Sequence, residues 1–496
     1  MTDFLSGFAT ALQPVNLLYC FAGVILGNIV GVLPGIGAIA AISILLPLTF
    51  SLDPTTAVIM LAGVYYGAEY GGSIASILLN LPGTASNAIT TLDGYPLARR
   101  GEAGLALLTA QISSFSGGTL GIVAMVVFSP LIVSFSLSFG PAEYFATLLL
   151  GLVAGASAIG SGPLKGIAMV AVGMLFGTVG LDLNSGYARF DLGIPNLLDG
   201  LSIVAVAMGL FGIPEVIANI SASQSQEKPI AVNARAMYSA FRRLGTIVPS
   251  VLRGATVGGL LGPLPGAGPT ISSFLAYSLE RSTTRNPEEF GTGRINGVAA
   301  PEAANNAAAQ TAFIPTMTLG IPGTPTMAII LGALMIHGIS PGPQLVVDHP
   351  DLFWGLVASF WIGNVFLLML NIPLIGVWAR LVAVPRRFFF PVIVALVCIG
   401  VFGVSNSTFD IWMVLLMGVL GYVLRCFGFP PAPLLIGFVL GPMVEEYLRR
   451  ALMISAGDYS YLFSSTTSIV IHCLTAGLLL WSILRGFRKK APQPAG

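Results

Sequence analysis

Glycines spaced four residues apart occur twice in this chain, and each time they run into a proline. Gly23, Gly27, Gly31, Gly35 and Gly37 enclose Leu33-Pro34, and Gly254, Gly258, Gly262, Gly266 and Gly268 enclose Leu264-Pro265. The offset between the two sets is constant at 231 residues (254 − 23 and 268 − 37). Glycine at every fourth position lines one face of a helix and lets a neighbouring backbone approach closely. Pro34 and Pro265 then each remove a backbone donor and disfavour helix at the preceding leucine, and the glycines after them permit conformations closed to other residues. Each copy therefore predicts a close-packed helix that breaks at its C-terminal end.

Unwound backbone at such a break is tolerated in a bilayer only where it is buried in protein or lines a watery cavity. A bilayer is the expected setting. The 496 residues are 55% hydrophobic and only 9% charged, with a mean hydropathy of +0.87, whereas soluble domains run near a quarter charged. Apolar runs at 14–31, 55–79, 105–138, 142–160, 164–180, 197–219, 244–263, 298–320, 353–376, 388–404, 409–426 and 465–486 are long enough to cross, and those at 38–50, 267–279, 325–340 and 429–444 read as half-helices or re-entrant segments. The expected fold is an all-α polytopic membrane protein of about ten to fourteen transmembrane helices in two internal repeats with broken or re-entrant helices. An odd number of crossings between equivalent points would invert the second repeat.

The polar interval 221–243 separates the copies, placing repeat one at 1–220 and repeat two at 244–470. The last helix end and a basic tail occupy 471–496. By the positive-inside rule, the interval and the tail are expected on the cytoplasmic side. A net charge of +1 argues against a phosphate-binding surface, so no nucleic-acid partner is expected. Cys20, Cys398, Cys426 and Cys473 are scattered and form no Cys-x-x-Cys pair, which argues against a metal site or disulfide framework.

From Glu69, the residues Ser73, Ser76 and Asn80 fall at i+4, i+7 and i+11, on one helical face. From Glu302, Asn305, Asn306 and Gln310 fall at i+3, i+4 and i+8, again on one face, in a run made mostly of alanine. A charged residue at mid-bilayer costs roughly 2.5–3.5 kcal/mol on insertion scales, so an intramembrane carboxylate is by default a functional hypothesis. Glu69, Ser73, Glu302, Asn305 and Asn306 are therefore read as ion-coupling residues for Na+ or H+. The competing reading, a glutamate near a loop end that is solvated or paired with arginine, is strongest for Glu302, because the polar stretch 280–296 lies just upstream.

Both polar faces lead to a second break, Asn80-Leu81-Pro82-Gly83-Thr84-Ala85-Ser86-Asn87 in copy one and Gly320-Ile321-Pro322-Gly323-Thr324-Pro325-Thr326 in copy two. Thr84 and Thr324 read as N-caps of half-helices that start there, with Pro325 in the first turn. A helix N-terminus offers free N–H groups and partial positive charge, which suit a carboxylate. Substrate contacts are thus expected from Pro34, Gly35, Gly37, Asn80, Pro82, Gly83, Thr84, Ser86 and Asn87, and from Pro265, Gly266, Gly268, Pro322, Gly323, Thr324 and Pro325. Beyond the breaks, Asp93 and His337 lie in gate-like turns that read as equivalent, capping helices and meeting water, with binding of a proton or a partner as the alternative. Lys165 and Arg253 read as cations that snorkel to the interface, with a counter-charge as the alternative for either.

An enzyme is not expected: the chain has neither a Gly-x-x-x-x-Gly-Lys-Ser/Thr motif nor a His-Glu-x-x-His motif, and no cofactor or metal is called for. A duplicated apolar unit interrupted at the same place in each copy points instead to a secondary transporter with its site between the repeats. A passive channel or a scaffold that docks other transport components is the alternative.

At Gly31-Val-Leu-Pro-Gly-Ile-Gly37, Tyr66-Gly-Ala-Glu-Tyr-Gly-Gly-Ser73, Asn80-Leu-Pro-Gly-Thr84, Asp93-Gly-Tyr-Pro96, Gly262-Pro-Leu-Pro-Gly-Ala-Gly268, Pro301-Glu-Ala-Ala-Asn-Asn306, Gly320-Ile-Pro-Gly-Thr-Pro325 and His337-Gly-Ile-Ser-Pro-Gly-Pro343, the chain resembles the large membrane subunit of tripartite tricarboxylate transporters, the TctA family. The resemblance covers essentially the whole chain. It implies a bacterial inner-membrane importer of carboxylates such as citrate, driven by an ion gradient. It also implies two partners, a small membrane subunit and a periplasmic solute-binding protein.

Overall fold

The computed structural model describes residues 2–33, 37–157, 163–182, 185–221, 230, 240–266, 268–382 and 389–488. These residues are helical apart from turns and one two-residue antiparallel pairing, Gly180–Leu181 with Ala188–Arg189. Among them, Pro14–Val32, Thr91–Ser136, Arg243–Leu261, Pro350–Asn371, Thr408–Cys426 and Thr466–Leu484 are long and apolar enough to cross a membrane. Leu120, Val123, Val127, Phe128, Leu131 and Phe135 on one helix, and Val470, Leu474, Leu480 and Leu484 on another, are exposed and face outward, as hydrocarbon solvent requires. This is an all-α, multi-pass membrane protein.

The first ladder helix, Pro14–Val32, lies along Pro54–Leu79, the helix that carries Glu69. A Cβ built on Gly23, Gly27 or Gly31 would stand 2.3, 2.2 or 2.2 Å from the carbonyl oxygen of Met60, Val64 or Ala68. In the second half, Val248–Leu261 lies along Asn296–Thr311, the helix that carries Glu302. There a Cβ on Gly254 or Gly258 would stand 2.2 Å from the oxygen of Ala300 or Ala304, and one on Gly262 2.6 Å from that of Ala308. Both ladders are the faces on which two backbones touch, a contact no larger residue permits.

The rungs also fix register, and here the equivalence suggested by the sequence needs correction. Glu69 lies nine residues beyond Met60, the partner of the first rung, but Glu302 lies only two beyond Ala300, its counterpart (69 − 60 and 302 − 300). Relative to the ladders, the two acids are therefore about two helical turns apart. They occupy different levels, although their order in the sequence makes them look equivalent.

A 34-residue helix, Ala103–Ser136, packs against the Glu302 helix, where Gly117 lets the backbone of Ala303 approach. Two apolar runs fold differently from expectation. The run at 429–444 is the start of a 24-residue helix, Pro431–Ile454, which continues through Pro442 because that ring packs into the space left by Gly177. The run at 298–320 is two helices, Asn296–Thr311 and Phe313–Leu319, that meet at Ala312. Most of the polar interval 221–243 falls outside the described residues.

Candidate functional site

The breaks form where proline and glycine predict them. The first ladder helix ends at Val32 with Leu33 extended (φ −87°, ψ 106°); Pro34 and Gly35 lie outside the described residues, and the next helix, Gly37–Leu45, starts at Gly37. The second ladder helix ends at Leu261, and Gly268–Thr283 begins after Gly266 turns the chain with φ +78°. The Gly266 amide donates to the Gly323 carbonyl at 2.8 Å, so the ladder end and the Pro-Gly-Thr step of copy two are joined directly. In copy one, a Cβ on Gly83 would stand 2.0 Å from the carbonyl oxygen of Gly31, so the same two features meet there by close packing.

The two Pro-Gly-Thr steps lead into different structures. Thr324 is an N-cap, accepting from the Met327 amide at 3.2 Å, with Pro325 opening the helix Pro325–Ile336. Thr84 caps nothing: a single 3-10 turn, Ala85–Ala88, comes after it. Its hydroxyl lies within hydrogen-bond distance of the carboxylate of Glu69, 3.0 Å away, and of Asn87 Oδ1, 2.6 Å away. The expectation of a half-helix capped by Thr84 is corrected accordingly: its hydroxyl donates to a carboxylate, caps no backbone N–H, and is succeeded only by the 3-10 turn.

A cavity of about 560 Å³ opens where the breaks converge. Its wall includes Gly37, Glu69, Pro82, Gly83, Thr84 and Ser86 from the first half, and Gly266, Gly268, Gly323, Thr324 and Pro325 from the second. Three helices, Gly37–Leu45, Gly268–Thr283 and Pro325–Ile336, begin at this wall. Their N–H groups and dipoles point positive charge into one space. Arg425 and Glu215 also line it, with Nη1 of Arg425 at 2.9 Å from Oε2 of Glu215. Asn80, Asn87, Pro265 and Pro322 do not line the cavity; Asn80 is the exposed left-handed cap (φ 58°) that ends its helix.

Behind the wall, one short segment serves both acids. Thr84 and Ser86 hydrogen-bond Glu69, while Asn87 Nδ2 and Thr90 Oγ1 donate to Glu302 Oε1 at 3.1 and 2.6 Å. Ser114 Oγ donates to Glu302 Oε2 at 3.1 Å. Both acids are buried, and neither has an arginine or lysine partner among the described residues. Hydroxyl and amide donors alone solvate these two carboxylates, which suits groups that exchange a proton or a cation. Asn305 lies beside Glu69 without a hydrogen bond of normal geometry. Asn305 Oδ1, Asn306 Oδ1 and Gln310 Oε1 are buried oxygens that accept no hydrogen bond among the described residues. Ser73 bonds to the Tyr70 carbonyl and to Gln111, away from Glu69.

Asp93 is not a solvent-facing turn residue. It is buried, its Oδ1 accepts the amides of Gly291, Gly293 and Arg294 at 3.0, 2.8 and 2.8 Å, and its Oδ2 accepts the Tyr277 hydroxyl at 2.8 Å. It therefore pins the segment after the copy-one break to the second half. Asp93→Ala leaves those donors bare and is expected to cost about 3 kcal/mol, read as a lower melting midpoint in detergent. Asp93→Asn, which keeps Oδ1, should fall between. An unchanged midpoint in the alanine variant would show that these bonds do not hold the halves together.

Thr90, Ser114, Arg425 and Glu215 escaped the sequence reading. Ser114 has a faint signal, the pair Ser113-Ser114 inside an apolar run, whereas Arg425 has the ordinary look of a charge at a helix end. For Arg253 the structure favours the counter-charge over snorkelling alone: it grips buried Glu280 through Nε at 2.9 Å and Nη2 at 2.7 Å.

Residues 17–436 match the family model described as Tripartite tricarboxylate transporter TctA family. The chain is 46% identical over 486 residues, 98% of its length and 96% of the relative's, to an Agrobacterium vitis protein described as an uncharacterized 52.8 kDa protein in the TAR-I ttuC' 3' region. It is 49% identical over 236 residues, 48% of its length and 98% of the relative's, to a second Agrobacterium vitis protein, described as an uncharacterized protein in the TAR-II ttuC' 3' region. No solved structure matches it.

Proposed function

Because the chain belongs to the tripartite tricarboxylate transporter TctA family, we propose that it is the large membrane subunit of an importer that carries a carboxylate across the bacterial inner membrane, driven by a gradient of Na+ or H+. The observation that carries this reading is the convergence of three helix N-termini on one cavity between the halves. Aligned backbone donors in a partly dehydrated pocket favour an anion without a permanent cluster of cations. Glu69 and Glu302 supply the coupling chemistry. When the first acid on the cavity wall takes up a proton or faces a cation, the hydroxyls of Thr84 and Ser86 are free to turn toward substrate. Asn87 and Thr90 pass the change to Glu302. The oxygens of Asn305, Asn306 and Gln310 suit a hard monovalent cation or its waters. A periplasmic solute-binding protein delivers the carboxylate, and a small membrane subunit completes the assembly.

The test is uptake of radiolabelled citrate, malate or succinate by proteoliposomes holding the chain and its small subunit, with the solute-binding protein outside. Accumulation above the external concentration is expected, and it should disappear when an ionophore collapses the ion gradient. Equilibration without accumulation would overturn gradient-driven import in favour of passive passage. Gly266→Leu forces a branched residue to φ +78° beside the Gly323 carbonyl, a strain of about 1–3 kcal/mol in the wall itself. Uptake should fall at least roughly tenfold while the variant still reaches the membrane; wild-type transport would remove the breaks from the site.

A further inference from the structure

Among the described residues, Arg425 is the cation on the cavity wall. It sits in the last turn of Thr408–Cys426, and its contact with Glu215 is a single one, Nη1 to Oε2 at 2.9 Å. A guanidinium has five N–H donors in a planar fork that matches a carboxylate two at a time. A one-armed contact leaves that fork underused, unlike the two-armed grip of Arg253 on Glu280. The side chains of Arg425 and Glu215 are 34% and 24% exposed, so water and ions reach the pair, and a pair this wet is weakly held.

The helix end that carries Arg425 is anchored from behind. Lys165 Nζ donates to the carbonyls of Phe427 and Gly428 at 2.8 and 3.2 Å, tying down the turn that comes after Arg425. Glu215 belongs to Ile213–Ser221, a helix that packs against Thr408–Cys426, so both members of the pair ride on one helix contact. The cavity thus combines helix N-termini with a guanidinium carried on an anchored helix end, an arrangement that addresses an anion with two separated carboxylates. Glu215 occupies the guanidinium meanwhile.

We propose that Arg425 binds one carboxylate of the transported anion on the wall of the cavity, and that Glu215 is the internal carboxylate it exchanges for that of the substrate. The proposal rests on the carboxylate reading above and assigns it a specificity residue. A monocarboxylate can engage either the N-termini or Arg425, but only a di- or tricarboxylate engages both.

The experiment measures uptake kinetics in the complete assembly, with citrate, succinate and acetate as probes. Arg425→Gln is expected to raise KM for citrate and succinate roughly tenfold to a hundredfold, with maximal rate changed far less, and Arg425→Lys should recover part of that loss. Glu215→Gln removes the competitor, so its KM should fall below the wild-type value. The charge swap Glu215→Arg with Arg425→Glu keeps an ion pair but moves the cation, and it should transport as poorly as Arg425→Gln. Restored transport in the swap, a KM for Glu215→Gln that rises with that of Arg425→Gln, or a KM for Arg425→Gln within twofold of wild type would each show the pair to be only a structural tie. Absence of carboxylate uptake by the wild-type assembly would overturn the transport reading itself, a result distinct from all of these.

Discussion

Glu302→Gln is expected to abolish accumulation of carboxylate while the protein is still made, inserted and purified. The side chain is completely buried, and three donors converge on it: Thr90 and Asn87 on one oxygen, Ser114 on the other. An isolated charge at this depth would cost several kcal/mol, and these donors offset that cost without a counter-charge. Glutamine has the same shape, so packing survives, but it can neither bind nor release a proton and holds a cation poorly. It also turns an N–H₂ toward at least one donor. A loss of more than about a hundredfold in gradient-driven uptake, near 3 kcal/mol, is expected, with exchange across the membrane less affected than net accumulation. Glu302→Asp, with the charge kept but withdrawn by one methylene, should retain partial activity. Gradient-driven accumulation by the glutamine variant within threefold of wild type would remove Glu302 from coupling.

The second large effect is on folding. Gly27→Val and Gly258→Leu are expected to yield little folded protein, because a Cβ at either position would stand 2.2 Å from the carbonyl oxygen of Val64 or Ala304. The helices would have to separate by roughly 1 Å along a face where the other rungs are also in contact, forfeiting dispersion contacts along its whole length. Overpacking a core typically costs 1–3 kcal/mol and more when backbone must move, so about 3–5 kcal/mol is expected for each. Gly259→Leu is the control: a Cβ there meets nothing within 4 Å. Monodisperse yield in detergent and the melting midpoint decide the matter. A Gly258→Leu variant as stable as Gly259→Leu would mean that the ladder is not a contact face.

The ladders, the breaks and the membrane setting were legible because each arises from local rules. Glycine spacing sets a helix face, proline removes a donor, and apolar length sets a crossing. The equivalence of Glu69 and Glu302 was misread because order along a chain carries no information on helix register; only the contacts of Gly23 with Met60 and Gly254 with Ala300 reveal the two-turn offset. Thr84 was misread for a related reason. A threonine before a helix start is an N-cap by default, and only the fold brings Glu69 within reach of its hydroxyl. Asp93 and Arg425 look alike in the sequence, as charges at the ends of apolar runs. In the fold, one is a buried acid saturated with four donors and the other stands on the wall of the cavity.

The donors to Glu302 all come from the other half of the chain: Asn87 and Thr90 lie just past the first Pro-Gly-Thr step, and Ser114 lies on Ala103–Ser136. During synthesis, then, the second half enters the membrane with an acid whose solvation shell has already been built elsewhere. A second half made alone would carry that acid without these three donors, in a lipid that supplies no hydrogen bond. Burial of Glu302 is therefore compensated only once the two halves have docked, which ties the stability of the second half to contact with the first.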